Sequence, residues 1–129
     1  RPPIHRHGGT VHGPTPHSYD LKVNAKAKKQ ALKCVLSEKI RENRFVLIEN
    51  LELSSHKTKG LAGIAAKLGL EGKTLLVDRR DNENLSRAAR NHPRLEVIDA
   101  LGMDAYNALD AQTVVVTEHA LRVVTEVLG

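Results

Sequence analysis

At 129 residues and 40% hydrophobic content, the chain is long enough for one domain with a modest core plus an appendage. Its single cysteine excludes an intrachain disulfide, and no apolar run approaches the ~20 residues of a bilayer span. The formal charge of +5 is unevenly divided: Arg1 to Arg44 hold ten Lys/Arg against three acids, whereas Phe45 to Gly129 hold ten against twelve. A basic lead on a near-neutral body points to an arm that seeks phosphate and a body that places it. No signal-peptide pattern opens the chain, so the expectation is a soluble protein of a reducing compartment.

Residues 1–23 carry Gly8, Gly9, Gly13, Pro2, Pro3, Pro14 and Pro16 with few apolar side chains, too little to offset chain entropy, and read as an irregular arm. Residues 24–129 read as the globular domain. Asn24 is a plausible N-cap for a helix to about Asn43, with Leu32, Val35, Leu36 and Ile40 recurring on one face. Phe45-Val-Leu-Ile is a buried strand that continues weakly to Leu53. Ser54 or Ser55 can cap a helix from Lys57 to Leu68, which Gly69 and Gly72 end. A second strand starts at Thr74, and Asp81 or Asn82 can cap a short helix to Arg90. A third strand starts at Leu95, Asp104 can cap the helix carrying Tyr106 and Leu109, and a fourth strand starts at Thr113. Thr117 caps a last helix striped by Leu121, Val124 and Leu128.

The only aromatic rings besides histidine are Tyr19, Phe45 and Tyr106, so branched aliphatics must build the core. Fourfold alternation of strand and helix with short connections predicts a three-layer α/β/α fold. Its sheet is mainly parallel, with at least four strands.

Ligand groups in such folds sit beyond the C-terminal ends of the strands. Asp78, Asp81 and Asp99 stand there, and an enzyme holding Mg²⁺ for phosphoryl transfer or nuclease chemistry would use such carboxylates. The simpler reading makes Asp, Asn and Thr at these positions helix caps. No glycine-rich phosphate loop follows the first strand. Cys34 lies beside the helix stripe and reads as a small core or boundary residue. The histidines at 5, 7, 12 and 17 match no Cys/His finger spacing and read as groups that hydrogen-bond phosphate or stack on bases.

The lysines are sharper. Lys26, Lys29 and Lys33 fall on one helical row, and Lys22 and Lys28 add to that end. The same row continues as Leu36 and Ile40, so the helix is expected to dock by its second half and face a polyanion with its first. Lys67 and Arg122, on later helices, are expected to contribute much less.

Together these residues resemble one family, the bacterial-type large-subunit ribosomal protein four. Pro3-Ile4-His5-Arg6-His7-Gly8-Gly9-Thr10-Val11-His12-Gly13-Pro14 looks like the returning end of its long loop. Lys22-Val23-Asn24, Ala31-Leu32-Lys33, Leu36-Ser37, Lys57-Thr58-Lys59 and Asp81-x-Glu83-Asn84-Leu85 then follow in the family's order, as do Ala88-Ala89-Arg90-Asn91 and Val115-Val116-Thr117. His5 stands where the family usually has Trp, which bears on a stacking contact. The chain also begins inside the loop, without the family's amino-terminal portion, and so reads as part of a longer protein.

The resemblance implies a non-enzymatic constituent of the large ribosomal subunit, in the cytoplasm or an organelle. Its partners would be large-subunit rRNA, neighbouring ribosomal proteins and, where the loop lines the exit tunnel, the nascent peptide; no cofactor or membrane is implied. Arg1, Arg6, His7, Lys22, Lys26, Lys29 and Lys33 are the expected phosphate contacts. Gly8, Gly9 and Gly13 would allow close backbone approach, and His5 or His12 would stack or hydrogen-bond. Lys57 and Lys59 are secondary candidates.

Overall fold

The structure is a computed structural model that describes residues 1–129. Residues 1–24 contain neither helix nor strand. Helix α1 spans Ala25–Arg41, where Ala, Lys, Gln and Leu favour the helix, and Lys39 and Arg41 in the last turn complement its dipole. Asn43 closes it at φ 56°, a left-handed conformation that asparagine tolerates better than most residues. Strand β1 (Phe45–Ile48), helix α2 (Thr58–Lys67), β2 (Thr74–Asp78) and α3 (Glu83–Ala89) follow. Then come β3 (Leu95–Asp99), a single 3-10 turn, α4 (Ala105–Asp110), β4 (Thr113–Thr117) and α5 (Glu118–Leu128). No helix is long and apolar enough to cross a membrane.

The four strands form one fully parallel sheet in the order β1-β4-β2-β3. The three-layer expectation holds, because alternate strand residues serve opposite faces. Leu75, Val77, Val114 and Val116 join Leu32 of α1, Ala108 of α4 and Val124 of α5. Leu76 and Val115 join Leu61 of α2 with Leu85 and Ala88 of α3. Leu61, Leu75, Leu85 and Val114 are at most 1% exposed, each contributing roughly 1.5–3 kcal/mol of burial. The central strands β2 and β4 are buried nearly throughout, while the edge strands β1 and β3 are largely half-buried.

Four expectations need correction. The first strand does not continue to Leu53: it ends at Ile48 because its neighbour β4 ends at the paired Thr117. Neither Ser54 nor Ser55 caps α2, whose N-cap position is Lys57, with no side-chain hydrogen bond. Ile40 is 58% exposed; the inward row of α1 is Leu32, Val35, Leu36 and the stem of buried Lys39, spaced i, i+3, i+4 and i+7. Lysine reaches that row because its amine finds the Ala111 carbonyl at 2.6 Å. Cys34 is exposed, outside the core, and its Sγ accepts from Gln30 Nε2 at 3.8 Å.

Candidate nucleic-acid interface

The first nine residues turn back on themselves: His5 N–H donates to Pro2 O, Gly8 N–H to His5 O and Gly9 N–H to Arg1 O, at 3.0, 2.8 and 3.3 Å. His7 takes φ 62° in this turn. A Cβ on Gly8 would lie 2.1 Å from Pro2 O, so its missing side chain serves the arm's own fold. A Cβ added at Gly9 or Gly13 would meet nothing closer than 3.9 Å, so the space beside both residues is open, although the Gly9 N–H is already given to Arg1 O. The arm's hydrogen bonds stay within it, leaving the side chains of Arg1, His5, Arg6, His7 and His12 exposed and without a protein partner. His17 and Tyr19 stand with ring centroids 4.1 Å apart, an exposed aromatic pair that no local sequence pattern singles out.

The arm leads directly into the lysines of α1. Lys22, Lys26, Lys28, Lys29 and Lys33 are all exposed, and none lies within ion-pair distance of a carboxylate. By contrast, Arg41 and Arg44, at the helix's other end, pair with Glu38 and Glu42 at 2.6 and 3.2 Å. Uncompensated cations therefore gather at one end of α1. Beside them, Val23, Ala27 and Leu32 line an apolar groove of about 470 Å³ with Ala105, Tyr106 and Leu128. Lys57 and Lys59 lie elsewhere, exposed at the start of α2.

The strand-end carboxylates do not assemble into a metal site. Asp78 is 7% exposed, and both its oxygens are taken: Oδ1 accepts from Thr117 Oγ1 at 2.9 Å and Oδ2 from Asn82 Nδ2 at 2.7 Å. The same Asn82 nitrogen donates to Leu51 O at 2.9 Å, while its oxygen accepts from Leu85 N–H at 3.2 Å as the cap of α3. Asp78 is thus a tie between β2, β4 and α3, which corrects both the metal-ligand and the cap reading of it. Asp99 occupies the N-cap position of the 3-10 turn without a side-chain hydrogen bond, and Asp81 accepts through its backbone only. No three His, Cys, Asp or Glu side chains are placed to hold a metal ion together. Thr117 and Asp104 do cap, accepting from Ala120 and Asn107 N–H at 3.4 and 2.8 Å. The tie was recoverable in principle from Asn82 at i+4 from Asp78 and a threonine ending the neighbouring strand, but only once β2 and β4 were known to be adjacent.

The family model described as the ribosomal protein L4/L1 family matches residues 1–127. Over 129 residues the chain is 42% identical to the large ribosomal subunit protein uL4 of Oenococcus oeni and 38% identical to that of Lactobacillus johnsonii. Against the protein of the same name from Chlorobium phaeobacteroides it is 39% identical over 130 residues. Each match covers 100% of this chain, and the chain spans 62% of the length of each of these relatives.

Proposed function

Because this chain belongs to the ribosomal protein L4/L1 family, we propose that it serves as a structural component of the large ribosomal subunit, holding that subunit's RNA through residues 1–23 and the first half of α1. Such a family is one of ribosomal proteins and not of enzymes, and the role of this chain is likewise non-catalytic. The observation that carries the reading is the run of unpaired cations Arg1, Arg6, Lys22, Lys26, Lys29 and Lys33 on irregular backbone and one helix end. Folded RNA offers closely spaced phosphates to such a run, and at Gly9 and Gly13 no side chain obstructs their approach. The globular domain, residues 24–129, anchors the arm, which reaches into the subunit interior toward the nascent peptide. Neighbouring ribosomal proteins and a cytoplasmic ribosome complete this setting. The Mg²⁺-dependent alternative loses its central ligand, since Asp78 is buried and spent on Thr117 and Asn82.

The test is binding to a transcript of large-subunit rRNA across a salt series. Each phosphate contact releases counterions, so log affinity against log salt should slope by roughly −0.7 to −0.9 per contact. Replacing Lys26, Lys29 and Lys33 together with Gln should flatten the slope by about 2–3 units, with the fold intact. An unchanged slope and affinity would reduce the α1 lysines to a solvated face. Failure of the unaltered protein to bind the transcript or co-sediment with large subunits would end the proposal.

A further inference from the structure

The near-zero charge of the body conceals a strong polarity. Residues 54–94, which supply α2 and α3, hold nine Lys/Arg against four acids; residues 95–129, which supply α4 and α5, hold one against six. These helices cover opposite faces of the sheet, α2 and α3 on one and α4 and α5 together with α1 on the other. On the first face Lys57, Lys59, Lys67, Arg90 and Arg94 are exposed, and none has a carboxylate within 4 Å; Arg87 alone is paired, with Glu83. We infer that the α2–α3 face is a second RNA-facing surface, across the sheet from α1, so that two separate RNA segments grip the body. This rests on the reading of the chain as an rRNA-binding protein and reassigns Lys67, expected from sequence to matter little.

The choice of RNA over an acidic protein follows from what the face lacks. Protein interfaces are anchored by aromatic and large apolar side chains, whereas nucleic-acid interfaces are more polar and more positive. Within α2 and α3 no large apolar side chain is exposed, and Leu68 at the C-cap of α2 is only 38% exposed; Tyr106, Leu109 and Val127, all more exposed, belong to α4 and α5. Gly63 of α2 is open, with nothing within 4 Å of an added Cβ, which adds no obstacle to a phosphate backbone.

The experiment uses the full chain and the same rRNA transcript. A Lys57→Gln, Lys59→Gln, Lys67→Gln, Arg90→Gln, Arg94→Gln variant should flatten the salt slope by roughly 3.5–4.5 units, and the effect should add to that of the α1 lysine variant. Circular dichroism should be unchanged, since all five side chains are exposed. Chemical footprinting should show the two variants losing protection at different RNA segments. If the five-fold variant keeps full affinity and slope while the α1 variant weakens, this inference falls and the proposed function stands. Loss of protection at the same RNA segment in both variants would also overturn it, by reducing the face to a general field. If the unaltered chain does not bind the transcript at all, the proposed function itself fails.

Discussion

Replacing Asp78 with alanine should be among the most damaging single changes at the C-terminal edge of the sheet, for reasons of hydrogen bonding alone. The carboxylate accepts from Thr117 Oγ1 at 2.9 Å and Asn82 Nδ2 at 2.7 Å, and Thr117 is only 4% exposed. A hydrogen bond to a charged group contributes about 1.5–3 kcal/mol net, and an abandoned buried partner adds its own desolvation cost. Asn82 retains Leu51 O, so its loss is partial, whereas the Thr117 hydroxyl loses its only acceptor. The expected cost is about 3–4 kcal/mol, a large share of a small domain's stability. With a urea m-value near 2 kcal/mol/M, the unfolding midpoint should fall by roughly 1.5–2 M. Asp78→Asn should cost less, about 1.5–2.5 kcal/mol, because one oxygen still serves Thr117 while its amide opposes that of Asn82. A double-mutant cycle with Thr117→Val should return a coupling of at least about 1 kcal/mol. Adding Mg²⁺ should leave the midpoint unmoved. An Asp78→Ala variant within about 0.5 kcal/mol of the parent, or a coupling near zero, would refute the argument.

Lys39→Met should keep the buried stem but lose the bond to Ala111 O, costing about 1–2 kcal/mol in urea denaturation, with Lys39→Ala clearly worse. Thr74→Val should raise stability by roughly 1 kcal/mol, read as a higher thermal midpoint, because the Thr74 hydroxyl is buried without a partner. Lys73 is held above its ordinary value of 10.5, first by its hydrogen bond to Asp110, then by the Asp110 charge and by Glu96. A pKa raised on folding stabilises fully below the unfolded value and is lost as pH rises through the folded one, so a small alkaline loss of stability beyond about pH 10.5 should disappear in Lys73→Gln.

The strands were legible because β2 and β4 are buried on both faces and read as unbroken aliphatic runs, and three caps announced themselves through Asn82, Asp104 and Thr117. Local patterns could not show adjacency. The tie at Asp78 and the seat of Lys39 both join residues far apart in the chain, with Lys39 reaching across 72 positions to Ala111. Polarity misled at Ile40 and Lys39, where helical phase put the charged residue inward and left the apolar one in solvent. The arm's cations were visible as composition, but the charge contrast between body faces needed the knowledge of which helices share a side.

The strand order has a consequence for the order of events during synthesis. Of the four strands β1 comes first in the chain but pairs only with β4, the fourth, and their partners Ile48 and Thr117 are 69 residues apart. β2 and β3 can zip together earlier, yet of these four strands β1 must wait for β4. A parallel pairing across such a distance is intrinsically slow to form. The arm and the α1 lysines therefore leave the synthetic machinery well before the sheet can close. They are free to find an anion while the body is still unfinished. A chain cut short of Thr113 would lose the central plank that seats β1, along with Thr117, the clasp on Asp78, rather than a dispensable margin.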